Sequence, residues 1–243
     1  LWSVGGFAGA GLFGIWVGTF SLTTLASTGI AAAVIVLVTL AASRHLLPYG
    51  GDAGGKLLAL PKGIVTFVGI IACIAFLVEG AIMDWGGVFL TTVRHFDMAL
   101  AGTGFTVFSA AMLTMRLLGD WTVQKLGQAR VVIGGSLLAV AGFLFIIFAP
   151  TVVLLYLGFF FIGVGCANVV PVFFSLLGKQ HVMPISLAVP AVSTLGYLGI
   201  LMGPAAIGFI AHQTSLYAAF TLLAALVLLQ AVIAAYVYRH IVE

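Results

Sequence analysis

Few side chains in this sequence can do chemistry, and those that can stand inside long apolar runs. Glu79 falls near the middle of one such run, followed by Asp84 and then Trp85. Burying an ionisable group in a membrane helix costs roughly 2.5–3.5 kcal/mol on insertion scales, so such a group faces a cavity, a ligand or a partner. A carboxyl in an apolar site is also suited to take up and release a proton nearer neutral pH. The alternative for Glu79 is structural, a hydrogen bond to a neighbouring helix. Asp84 lies roughly 140° around an ideal helix from Glu79. The two share a face only if the helix is interrupted, for which Gly80, Gly86 and Gly87 supply the means. Asp84 sits closer to the end of its run, where a hydrated or capping role competes with a binding one. Trp85 either stacks on a sugar ring or anchors its helix at the interface.

Two uncharged polar residues join this set. Asn168 stands in an apolar run beside Gly165 and Pro171, where its amide either hydrogen-bonds a solute or ties two helices together. Tyr197 carries the same two readings. Phe105 and Phe108 read as core or lipid-facing rings before cavity lining. The histidines, at 45, 95, 181, 212 and 240, lie at or near the ends of apolar runs, and their spacing makes no metal set. Cys73 and Cys166 fall within apolar runs and read as small buried hydrophobes. No nucleotide-binding loop, metal-ligand spacing or nucleophile with a base is legible, so an intramembrane enzyme is disfavoured and no cofactor is expected.

The elements that must position these residues follow from composition. Of 243 residues, 63% are hydrophobic and only 6% charged, with a mean hydropathy of +1.30. A water-soluble domain carries about 25% charge, so this surface faces lipid. The net charge of +3 is no nucleic-acid signal, because its few cations sit in short polar segments. Eight apolar runs are long enough for spanning helices, near Trp2–Phe20, Leu25–Ser43, Gly63–Leu90, Leu100–Leu118, Val131–Phe148, Val152–Leu177, Ile185–Ile210 and Leu216–Tyr238. They are continuously apolar rather than alternating, which predicts helices and not strands.

Basic residues favour the cytoplasmic side. Counting alternately from the segment Arg44–Lys62, one side holds Arg44, Lys56, Lys62, Arg116, Lys125, Arg130, Lys179 and Arg239, and the other only Arg94. The central linker and the C-terminus are therefore expected in the cytoplasm. Leu1 falls on the same side, which fits an even number of preceding spans. Arg44–Lys62 is rich in Gly and Pro and has linker composition. It leaves two helices before it and six after, an arrangement that makes sense as the tail of a 6 + 6 protein. Small residues at four-residue spacing, Gly5 with Gly9 and Gly14 with Gly18 in the first run, recur as Gly199 and Gly203 in the seventh.

The segment after the fourth run reads Arg116-Leu-Leu-Gly119-Asp120-Trp-Thr-Val-Gln-Lys125-Leu-Gly127-Gln-Ala-Arg130. It resembles the cytoplasmic signature loop of the major facilitator superfamily, which joins the second and third helices of each six-helix half. Trp121 departs from the pattern, standing where a basic residue is common. In that resemblance Gly119 permits close helix approach, Asp120 meets a basic group or a helix N-terminus, and Arg116, Lys125 and Arg130 anchor the cytoplasmic end. The stretches Gly163–Pro171, Gly196–Gly208 and Glu79–Trp85 look similar to the bacterial fucose-permease-like branch and to an inner-membrane group near it.

The resemblance implies an all-α membrane fold. Residues 1–43 would be the last two helices of the N-terminal half, 44–62 the central linker and 63–243 the C-terminal half. It implies a monomeric transporter of the bacterial inner membrane that moves a small polar solute, sugar-like among the options, by alternating access with a proton as coupling ion. Glu79, Asp84, Trp85, Asn168 and Tyr197 would line the site, and Arg116, Gly119, Asp120, Lys125, Gly127 and Arg130 would form a gating loop. The first half would supply part of the cavity, so these residues alone are expected not to transport. The competing reading is a non-transporting sensor or scaffold on the same fold.

Overall fold

The computed structural model describes residues 24–43 and 60–239. The expected first span, Trp2–Phe20, with its glycine spacing, and nearly all of the expected linker lie outside the described residues. Contacts divide the chain into two units, Leu1–Gly55 and Lys56–Glu243. In the first, helix α1 spans Thr24–Ser43, and Thr39 Oγ1 donates to the Ile35 carbonyl at 2.8 Å.

The second unit is a bundle of helices: α2 (Ile64–Val88), α3 (Thr103–Leu117), α4 (Gly119–Leu126), α5 (Gln128–Phe148), α6 (Val152–Cys166), α7 (Val169–Leu177), α8 (Ile185–Gln213) and α9 (Leu216–Val237). Among the described residues six helical runs are long and apolar enough to cross a membrane. These are Ile64–Val93, Met98–Leu117, Gln128–Phe148, Val152–Leu177, Ile185–Gln213 and Leu216–Val237. Local chemistry explains several of their ends. Thr151 and Ser215 cap α6 and α9 by accepting from the amides of Leu154 and Ala218. Gly127, at φ 82°, turns the chain between α4 and α5 in a conformation that suits glycine.

Three boundaries differ from the sequence expectation. The second-unit helix α2 ends in a π-helical turn at Phe89–Val93. The span Val152–Leu177 is interrupted at Ala167–Asn168. The segment expected as a loop after Leu118 is itself helical, as α4, and the chain turns only at Gly127. The physical reason lies in the sequence: Asp120–Leu126 contains neither Pro nor Gly, so nothing stops the helix before Gly127. Arg116 therefore lies within the helical run Met98–Leu117 and not in a loop.

Two seams hold the bundle together. Between α5 and α6, Gly142 and Gly158 face each other so closely that a Cβ on either would meet the other's carbonyl, at 2.6 and 2.7 Å, and Gly135 and Gly165 meet in the same way. Between α2 and α8, a Cβ on Gly199 would strike the Cys73 backbone, and one on Gly196 would meet the Phe76 ring at 2.7 Å. In lipid, helices associate through close van der Waals packing, which small residues permit. The buried side chains form two apolar clusters. One surrounds Phe89, Phe143, Phe159 and Phe220; the other surrounds Val65, Val172, Phe173 and Val237.

Arg94 closes the end of the bundle where the first cluster lies. Its Nη2 donates to the carbonyls of Ile146 and Ile147 at 2.6 and 2.9 Å, in the last turn of α5, where carbonyls lack helical partners. Replacing Arg94 by Met removes two charge-assisted bonds, and is expected to cost about 2 kcal/mol. Thermal unfolding in detergent measures the loss, and hydrogen exchange should speed up at the last turn of α5.

Candidate functional site: an ion pair at two facing helix interruptions

Between the two apolar clusters lies a polar layer. On the helices that contribute to both clusters, the buried polar residues Ser136, Asn168 and Gln230 fall where one cluster gives way to the other. Gln230 Nε2 donates to Ser136 Oγ at 2.9 Å, joining α9 to α5. Glu79, 9% exposed, lies about one turn beyond the point on α2 where the clusters change over, Ile74–Ala75.

Glu79 Oε2 lies 3.6 Å from Arg116 Nη2, an ion pair between α2 and α3. Arg116 is held from the other side as well, since its Nε donates to the Ala167 carbonyl at 3.2 Å. That carbonyl is available because Pro171, four residues on, has no N–H to offer it. The helix consequently breaks into α6 and α7 at this point, and a charged side chain from α3 takes the orphaned acceptor. Asn168 returns the interaction. Its Nδ2 donates to the Met115 carbonyl at 3.4 Å, just before the α3–α4 interruption, and its Oδ1 occupies the space that a Cβ on Gly119 would need, at 2.6 Å. Each interrupted helix thus supplies a carbonyl to a side chain of the other.

The remaining expected residues are distributed differently. Helix α2 runs without interruption from Glu79 to Asp84, so the two carboxyls do not share a face, and Asp84 is exposed. The indole Nε1 of Trp85 donates to the Pro204 carbonyl at 3.0 Å, and its ring lies where a Cβ on Gly208 would fall; it ties α2 to α8. Tyr197 is exposed and stacks on Phe76 at 6.0 Å. Asp120, Lys125 and Arg130 are exposed, with Lys125 Nζ 4.9 Å from the Trp121 ring centre. Of the residues expected to act together, the structure brings Glu79, Arg116, Gly119 and Asn168 into one cluster. No group of three or more His, Cys, Asp or Glu able to hold a metal occurs among the described residues.

Sequence reasoning missed the Ala167 carbonyl and the Gln230–Ser136 pair. The first had a readable signal, because a proline inside an apolar helix frees the carbonyl four residues before it. The Pro171→Ala variant returns an N–H to compete for that carbonyl. It is expected to lower the Glu79–Arg116 coupling energy by about 1 kcal/mol, as read from a double-mutant cycle repeated in the Pro171→Ala background.

Known proteins agree with this architecture. An uncharacterized MFS-type transporter of Yersinia pestis is 42% identical over 231 residues, 94% of this chain and 59% of its own length. An uncharacterized transporter of Sinorhizobium fredii is 35% identical over 75% of this chain and 48% of its own. Membrane protein MosC of Rhizobium meliloti is 29% identical over 93% and 58%. A peptide transporter crystallised with sulfate shares the fold at a TM-score of 0.61, with 18% identity, over 74% of this chain and 40% of its own. No protein-family model matches. The chain belongs to the major facilitator superfamily and is a multi-pass membrane protein. It spans about half the length of these relatives, from 48% to 59%, and matches their C-terminal portion.

Proposed function

We propose that the protein carrying this chain is a secondary active transporter that moves a small polar solute together with a proton by alternating access. The observation that carries the reading is the Glu79–Arg116 pair within a bundle of apolar helices. A buried ion pair adds little net stability compared with an apolar substitute of the same shape, so its presence supports use rather than packing. Glu79 is the proton-carrying group, and Arg116, fixed by the Ala167 carbonyl, is its counter-charge. Asn168 and Gly119 hold the two helix interruptions against each other, and these interruptions are where the bundle bends between its two open states. Asp84 and Tyr197, both exposed on the described unit, complete the solute path with Trp85 beside them. The remaining residues of the signature segment, Asp120, Lys125, Gly127 and Arg130, act at the gate on one membrane face. The basic residues Lys62, Lys125, Arg130, Lys179 and Arg239 share that end of the bundle, which supports a cytoplasmic location for it. The membrane is the bacterial inner membrane and the working unit a monomer.

The test uses the full-length protein in liposomes loaded with a pH-sensitive dye, given a panel of sugars and other small solutes. Solute-dependent proton entry that disappears in Glu79→Gln is the expected result. Entry that survives the substitution removes Glu79 from the proton path. Solute uptake without proton movement overturns the coupling, and no uptake of any solute favours a non-transporting sensor on the same fold.

A further inference from the structure

We propose that the face of α3 and α4 carrying Leu117, Trp121 and Lys125 binds an anionic phospholipid, with the lipid phosphate on Lys125. The site forms whether or not the protein moves a solute. These three residues stand four apart, the spacing of one helix face. Leu118 alone separates α3 from α4, and helical hydrogen bonds cross the junction. Leu118 N donates to the Thr114 carbonyl at 3.1 Å, and Thr122 N to the Leu118 carbonyl at 2.9 Å. The face therefore continues from one helix into the next. Gly119 and Thr122, on the other side of α4, are buried, whereas Leu117 is 77% and Trp121 60% exposed. The stripe points away from the bundle.

Its chemistry follows the order of a phospholipid. Leu117 ends the apolar run Met98–Leu117, and Leu118 beside it is also exposed. Trp121, one turn further, is a residue suited to the membrane interface. Lys125 comes one turn beyond that, its Nζ 4.9 Å from the Trp121 ring centre. Leu117 to Lys125 covers about 12 Å at 1.5 Å per residue, enough to cross a headgroup layer roughly 5–7 Å deep. The protein itself leaves these cations uncompensated. Glu79–Arg116 is the ion pair found among the described residues. Asp120 lies five residues before Lys125, roughly 140° around the helix, and does not share its face. Arg130, exposed just past the Gly127 turn, stands in the first turn of α5, where a cation opposes the helix dipole. An anionic headgroup supplies the missing charge, and its acyl chains cover Leu117 and Leu118. Free phosphate would leave the leucines bare, and a zwitterionic lipid would bring no net charge.

Tryptophan fluorescence tests this on the full-length protein in phosphatidylcholine nanodiscs. These are titrated with brominated phosphatidylglycerol or with brominated phosphatidylcholine. The difference from Trp121→Phe, taken in each background, isolates the quenching of Trp121. Brominated phosphatidylglycerol is expected to quench it with an apparent affinity about fivefold higher, the effect of one cation at a membrane surface. Lys125→Gln should abolish that preference and Lys125→Arg should keep it. Lys179→Gln removes an exposed cation of the same end of the bundle that lies off the stripe, and should leave the preference unchanged. Salt at roughly 1 M should shrink the preference. A preference that survives Lys125→Gln, or that Lys179→Gln lowers equally, overturns the proposal in favour of diffuse surface charge. Failure of either lipid to quench Trp121 overturns it as well, because another part of the protein then covers the ring.

Discussion

Replacing Arg116 by Met should lower stability in detergent by about 3–5 kcal/mol, the range for breaking one partner of a buried pair. The substitution leaves Glu79 without its cation and the Ala167 carbonyl without its donor, while the hydrocarbon volume is nearly kept. Glu79→Gln alone should cost less, because the amide oxygen still accepts from the guanidinium. The double variant should recover part of the loss, since neither charge then remains buried alone. Chemical unfolding curves of the four proteins give the coupling energy directly. A double-variant loss equal to the sum of the two single losses would mean that the pair contributes nothing and that Arg116 acts through Ala167 alone.

Gly165→Ala is expected to be nearly as damaging, at about 3 kcal/mol, the upper end for overpacking. Its new methyl would strike the Gly135 carbonyl and fall 2.8 Å from the Ala139 amide nitrogen, so the neighbours that must move are backbone of α5. The control stands beside one of these partners. A Cβ on Gly134 would meet nothing within 4 Å, so Gly134→Ala should be neutral or stabilising by up to about 1 kcal/mol through helix propensity. Thermal unfolding of the two variants separates a seam glycine from one that merely occupies a helix. Similar midpoints would show that α5 and α6 can part without cost.

The membrane helices of the second unit are legible in the sequence because their apolar runs are long and hold few charges. The helix interruptions are less so, for opposite reasons. At Ala167–Asn168 the signal, Pro171, is present, but the sequence alone shows it only as a neighbour of Asn168. At Gly119–Leu126 a run of basic and polar residues looks like a loop, because charge normally marks the membrane surface; local helix-forming chemistry prevails up to Gly127. The Glu79–Arg116 contact is not legible at all. The residues stand on different helices, and only the crossing of α2 and α3 sets which of their turns meet. Glu79 draws attention as a carboxylate near the middle of an apolar run, whereas the ordinary rule for cations assigns its partner to the interface. Trp85 shows the same limit. Its indole donor needs an acceptor, and nothing local reveals that the Pro204 carbonyl supplies it.

The pairing of consecutive helices also bears on how the chain enters the membrane. The run Met98–Leu117, which carries Arg116, has a mean hydropathy of 1.5, the lowest of the six, against 2.4 for Ile64–Val93, which carries Glu79. A lone arginine in so weak a segment would make its partition from the translocon into lipid marginal. Its counter-charge, however, is synthesised on the helix just before it, across a link of only a few residues. The two segments can leave the translocon as a hairpin whose opposite charges already cancel. The order of synthesis thus lets the ion pair assist insertion of the hairpin that carries it.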